Sequence, residues 1–276
     1  MSHPLQAPGP FRVEHLPDGS SYELSEGHPI QCLPTGGNGT GPNGRGFMVL
    51  DSDPTAPPAG VDAGIALSNN TLRAPDVAVG IGPERRGWST TVPPLAVEYA
   101  ADGQDNADLL KKIDEFLTAG TRWVWVVRLT GPRRVEVHER GMPVRVVPQG
   151  ENLEAPGLLK NAVPVEALFD RGAAQQATLR NLVQQQGYDS FEDALRKNRE
   201  AGRDEGLKKG RDEGLELGLL PLQRQFARRL GRALTEEERA TLLARFDTAG
   251  PERLGDVVLD LDPETLGQWL ADPEAR

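Results

Sequence analysis

Five short valine-rich segments, DVAVGI (76–81), LAVEYA (95–100), WVWVVRL (123–129), RVEVHER (134–140) and PVRVVPQ (143–149), follow one another in the first part of the chain. Runs of this length, rich in β-branched residues and bounded by Gly, Pro or charge, read as strands. WVWVVRL is apolar at almost every position, as in a strand covered on both faces, whereas RVEVHER alternates like a half-exposed one. Between the second and third segments, Leu109, Ile113, Phe116 and Leu117 recur at helical spacing, and Gly120 stands where a C-terminal cap belongs. The RGMP turn makes a hairpin of the last two strands, and NAVPVEALF closes the region with a short helix. The pattern predicts an α/β domain over residues 1–172, with a central mixed sheet flanked by helices.

Ahead of these strands, residues 1–62 are rich in turn formers. The run FMVL is predicted to be a strand and GGNGTGPNG a loop, which no GK[ST] follows to make a phosphate-binding P-loop. After Gly172 the strand signal ends and an all-α extension over 173–276 is expected, with a break near Gly187. The octapeptide GRDEGLKK (202–209) is followed directly by GRDEGLEL (210–217), which places glycines at 202, 206, 210, 214 and 218. Each costs roughly 1 kcal/mol against Ala in a helix interior. Either a partner helix approaches this stripe closely, or the helix is solvated and partly frayed. Pro221 is expected to end it. A small helical module over 222–276 follows, with Thr235 and Glu238 forming a capping box and Asp262 before Pro263 a helix start.

Composition narrows the function. With 31 Lys and Arg against 41 Asp and Glu, a net charge of −10 disfavours long-range attraction to nucleic acid or anionic lipid, so any such contact is local. Cys32 is the single cysteine, the N-terminus lacks a signal-peptide pattern, and no apolar run approaches 18 residues. A cytoplasmic protein without a membrane span is expected. His28, His138 and Cys32 have no partners at catalytic spacing, and Trp123 and Trp125 read as core.

Three residues converge on chemistry. Asp76 opens a strand, Glu98 sits within the next apolar strand, and Lys112 lies on the helix that follows. Carboxylates on neighbouring strands can hold Mg²⁺, a hard cation that takes oxygen ligands, and a nearby ammonium can steady charge on a phosphodiester. Lys112 lies about 80° from the centre of the helix's apolar face and can reach inward, whereas Lys111 points to solvent. Glu98, in a segment otherwise built for burial, must be metal-bound, at a strand edge, or paired, for instance with Arg122 or Arg128.

The order YELSEG (22–27), RAPDVAVG (73–80), PPLAVEYA (93–100), KKIDEFLTAGTRWVWVV (111–127) and VEVHERG (135–141) resembles the Uma family of restriction endonucleases, in the PD-(D/E)XK nuclease superfamily, over residues 11–170. The resemblance implies a restriction-endonuclease-like fold and hydrolysis of DNA phosphodiester bonds with Mg²⁺ or Mn²⁺. It implies metal ligation by Asp76 and Glu98, a catalytic Lys112, Phe116 in the family's aromatic position and Glu23 as an additional acid. The sequence departs from the family at four places. Ala100 replaces the strand lysine, Ala101 a frequent serine and Arg128 a frequent aspartate, and a loop over residues 36–50 replaces a histidine-bearing helix. A catalytically inactive binding or assembly module is the alternative. The tail resembles extensions of other nuclease-like proteins and implies a homodimer through the C-terminal helices.

Overall fold

The computed structural model describes residues 9–32, 37–83, 86–100 and 106–272, without the side chains of residues 37–40 and 106. Ala101 and the extreme N-terminus lie outside the described residues. In chain order the first unit contains β1 (Tyr22–Ser25), β2 (His28–Gln31), α1 (Gly37–Asp51), β3 (Ala59–Val61), β4 (Ile65–Ser68), β5 (Thr71–Arg73), β6 (Val77–Val79) and β7 (Leu95–Ala100). Then come α2 (Asn106–Ala119), β8 (Trp123–Arg128), β9 (Arg134–Glu139), β10 (Arg145–Pro148), the short pair β11 (Asn152–Leu153) and β12 (Val163–Pro164), and α3 (Arg171–Gln185).

All five predicted strands form and lie side by side in a six-stranded mixed sheet of order β10-β9-β8-β7-β6-β3. β7 and β8 are parallel because α2 carries the chain back across the sheet, and the other neighbours are antiparallel. Strand alternation sorts the side chains. Leu95, Val97, Tyr99, Trp123 and Trp125 face Val49 and Leu50 of α1 and Ala174 and Ala177 of α3. Ala78, Ala96, Ala100, Val124 and Val126 face Leu109, Ile113 and Phe116 of α2. Glu98 falls between Ala96 and Ala100 in this alternation, so it belongs to the α2 face. A second sheet of order β2-β1-β5-β4 carries a small core in which Leu24 and Leu72 meet Phe11, Val13 and Leu16.

The region read as loop and strand around residues 36–50 is corrected by α1. Its C-terminal half buries Val49 and Leu50 completely, which offsets the low helix propensity of its glycines. Gly46 lets it lie close to the sheet, since a Cβ there would come within 2.2 Å of Tyr99 Oη. The first unit also extends to Ala194 rather than ending near residue 172. The reason is α3, which buries Ala174 and Ala177 in the main core and whose Asn181 Nδ2 donates to Val49 O and Ser52 Oγ, each at 3.1 Å.

The second unit, Leu195–Arg276, takes most of α4 (Phe191–Leu230) together with α5 (Glu236–Asp260) and α6 (Pro263–Ala271). The break expected at Pro221 does not occur, because Leu219, Leu222 and Phe226 on either side of it are buried with Leu242, Leu254, Leu266 and Leu270. The capping box at Thr235 and the Asp262 cap both form, and α5 is kinked at Gly250. A Cβ added at Gly202, Gly206, Gly210 or Gly214 would meet nothing within 4 Å, so that part of the stripe is open. No helix among the described residues is long and apolar enough to cross a membrane.

Phe116 is wholly buried beneath α2. Phe116→Ala is expected to cost about 3–5 kcal/mol, the usual range for truncating a core aromatic. Urea unfolding of the variant would measure this, and a loss under about 1 kcal/mol would contradict the docking role given to this ring.

Candidate active site

The register Val77↔Val97 sets Asp76 across from Glu98 at the end of the β6–β7 ladder. Asp76 replaces a ladder bond with its side chain, accepting the Tyr99 N–H at 2.6 Å through Oδ2 and the Asn43 amide of α1 at 2.8 Å through Oδ1. Lys112 arrives from α2. Its Nζ lies 2.8 Å from Glu98 Oε1 and 3.2 Å from Glu23 Oε1, and it donates to the Ala74 carbonyl at 2.8 Å. Lys111, one residue earlier, pairs with Glu26 on an exposed flank, as helical phase requires. The arginines considered as partners for Glu98 are engaged elsewhere: Arg128 pairs with Glu136 at 2.7 Å, and Arg122 stacks over Trp123 at 4.1 Å.

Glu23 enters from β1 of the second sheet. Arg73 fixes it from the neighbouring strand, with a guanidinium NH 2.9 Å from Glu23 Oε2 and Nε bonded to Glu115 of α2. Ser25 Oγ donates to the other Glu115 oxygen at 2.6 Å. Arg73 therefore ties β1, β5 and α2 together beside the site. Glu23, Asp62, Asp76, Glu98 and Lys112 line one cleft of about 570 Å³, with Cys32 and Trp88 on its wall. Asp62 has a left-handed backbone, φ 48°, a conformation uncommon outside glycine that places its carboxyl in this cleft.

Electrostatics follow from an excess of acid: Glu23, Asp62, Asp76, Glu98 and Glu115 stand against Arg73 and Lys112. Burial, reinforced by Asp76, pushes Glu98 up to about 8 despite the adjacent ammonium. Burial alone would lower Lys112, but Glu98 and then Glu23 reverse that and hold it above the ordinary lysine value. The two shifts have different origins: burial raises the acid, whereas the surrounding carboxylates raise the base against its burial. Burial also raises Asp76 and Asp62. Glu23 goes the other way, since Lys112 and Arg73 outweigh its burial and keep it ionised.

Sequence reasoning missed Asn43, Arg73 and Asp62. Asn43 was hidden by the reading of α1 as loop. Arg73 had a signal, standing in RAPDVAVG three residues ahead of Asp76 within a predicted core region. Asp62 carried none.

A mixed sheet with a carboxylate at a strand end, a second carboxylate on the adjoining strand and a lysine from the crossover helix defines a restriction-endonuclease-like nuclease fold. The model of the family described as "Uma2: Putative restriction endonuclease" matches residues 11–166, more than half of the chain, and the chain belongs to this family. Its fold is similar to that in the "Crystal structure of a putative nuclease belonging to DUF820 from Anabaena variabilis ATCC 29413", with a TM-score of 0.51 and 18% identity, covering 60% of this chain and 99% of that one. No curated protein matches the chain.

Nucleases of this kind imply a divalent metal. Among the described residues no group of three or more His, Cys, Asp or Glu side chains is arranged to hold one. The smaller set of Asp76 and Glu98 still fits Mg²⁺, which uses one or two carboxylates and keeps several waters, and the surplus of negative charge in the cleft favours a cation.

Arg73 is 2% exposed in its side chain. Arg73→Met should destabilise the protein by about 3–5 kcal/mol, because it strands the Glu23 and Glu115 carboxylates against each other. Urea unfolding would show it, and an unchanged midpoint would remove Arg73 from this role.

Proposed function

We propose that the protein is a metal-dependent endonuclease, a hydrolase that cleaves DNA phosphodiester bonds, with Asp76 and Glu98 as the ligands of Mg²⁺ or Mn²⁺. The observation that carries this reading is the 2.8 Å approach of Lys112 Nζ to Glu98 Oε1 in a cleft that Asp76 also lines. When bound, the metal would supply Lewis-acid stabilisation of the phosphoryl oxygens and lower the pKa of an attacking water.

The chain's own residues divide the remaining work. Lys112 keeps its proton, so it acts as a fixed positive charge and donor toward the phosphodiester rather than as a base. Glu23 and the Ala74 carbonyl hold the ammonium in place, and Arg73 holds Glu23. Asp76 is oriented by Asn43 and the Tyr99 amide. Asp62, which lines the cleft and whose carboxylate has no hydrogen bond or ion pair among the described residues, would accept the proton of the attacking water as the bond from phosphorus to the leaving oxygen breaks, and solvent would protonate that oxygen. The single cysteine fits action in the cytoplasm. The exposed Leu207, Leu217 and Leu220 of the tail fit self-association through the C-terminal helices.

One observation favours the inactive alternative: Lys112 is already satisfied by two carboxylates and a carbonyl, as in a structural ion pair. The test is Mg²⁺- or Mn²⁺-dependent cleavage of plasmid and single-stranded DNA. Glu98→Ala and Lys112→Ala should each lower the rate by at least about 10²-fold, with folding verified by circular dichroism. A parent protein that is silent with both metals across pH and salt would leave the binding or assembly module as the reading.

The pH dependence has a definite sign. Glu98 is protonated below about 8 and ionised above it, and only the ionised form holds a cation well. At limiting Mg²⁺ the rate should therefore climb as pH rises through about 8, and saturating Mg²⁺ should move the climb to lower pH. Rate profiles at two Mg²⁺ concentrations check this, and superimposable profiles would contradict it.

A further inference from the structure

We propose that a cleft at the C-terminal end of α2, away from the catalytic one, binds a backbone phosphate of the nucleic acid. This rests on the nuclease reading and names the place where an acidic protein makes its local contact with a polyanion. The cleft, of about 300 Å³, is lined by Leu117, Gly120, Thr121, Arg122, Trp123, Glu139 and Arg140.

Three independent features mark it. Thr121 is 2% exposed, and its Oγ1 is buried without a hydrogen-bond partner among the described residues. Leaving such a hydroxyl unsatisfied costs about 1–3 kcal/mol, so a ligand oxygen there is favoured. Arg122 lies with its guanidinium carbon 4.1 Å from the Trp123 ring centroid. Stacking fixes the plane of the guanidinium and leaves its N–H edges free for two oxygens of one phosphate. Arg140, exposed at the end of β9, brings a second guanidinium, and neither arginine has an ion pair among the described residues.

The frame is rigid. Gly120, at φ 119°, reverses the chain so that Thr121 N–H returns to Phe116 O at 3.0 Å, and the Arg122 N–H is tied to Pro94 O at 3.0 Å. Glu139 leaves the cleft with a net charge of one positive unit, which suits a phosphodiester monoanion better than a more highly charged group. Along α2, at about 1.5 Å per residue, Ala119, the last residue of the helix, lies roughly 10 Å beyond Lys112.

The test is binding of a fluorescein-labelled 20-base-pair DNA duplex by anisotropy across a salt series, with Ca²⁺ in place of Mg²⁺. Arg122→Gln/Arg140→Gln should reduce the slope of log K against log salt by about 1, since losing the one phosphate contact removes roughly 0.9. Thr121→Val should weaken binding without changing the slope. Arg203→Gln/Arg224→Gln, an equal charge change on α4, should leave the slope as in the parent. Equal slopes for parent and cleft variant, or equal losses for the cleft and α4 variants, would overturn the site alone. A parent that fails to bind the duplex would overturn the nuclease reading and the site with it. Inorganic phosphate at millimolar concentration should not compete. If it displaces the duplex from the parent but not from the cleft variant, the cleft is a free-phosphate site and the backbone assignment is wrong.

Discussion

The site depends on how closely α2 can approach the sheet. Ala78, Ala96 and Ala100 form a low surface on that side, so Phe116, Ile113 and Leu109 seat deeply and the helix axis comes near the strands. A lysine one residue from the apolar stripe then needs only its own length to reach Glu98. Larger residues in place of the alanines would lift α2 and withdraw the ammonium, with no change to any residue of the cleft. The packing of an apolar face thus sets a polar distance.

The second dependence is electrostatic. A cleft holding more carboxylates than cations is poorly stable by itself, and the structure manages this by dividing the acids. Glu23 and Glu115 are held by Arg73, and Lys112 bridges Glu23 and Glu98, while Asp76, Glu98 and Asp62 carry raised pKa values. The division follows the architecture. The acids held by Arg73 come from β1 and α2, where the two sheets meet, and the others lie along β6, β7 and the turn after β3.

Much of this arrangement was legible from sequence, for identifiable reasons. The five strands and α2 announced themselves because β-branched runs and helical periodicity are local signals, and the phase of α2 separated Lys112 from Lys111. Three things were hidden. The glycines and Pro42 of α1 gave no periodic pattern, since that helix is held by tertiary burial of Val49 and Leu50 and by the small space Gly46 needs beneath Tyr99. Pro221 looked like a terminator because the core that keeps both sides of it helical comes from α5 and α6. Arg73 could be seen but not assigned, because its partners lie 50 residues upstream and 42 downstream.

The order of the parts along the chain also has a consequence for synthesis. Glu23, Asp76 and Glu98 all precede Lys112, and Phe116, which seats the helix that carries it, comes later still. A nascent chain paused before α2 holds its acids without their principal counter-charge. The cleft is at its most repulsive then, and it becomes an ordered arrangement only when the crossover helix emerges and docks. Assembly of the site is therefore a late event on the ribosome, coupled to the docking of α2 rather than to the formation of the strands that precede it.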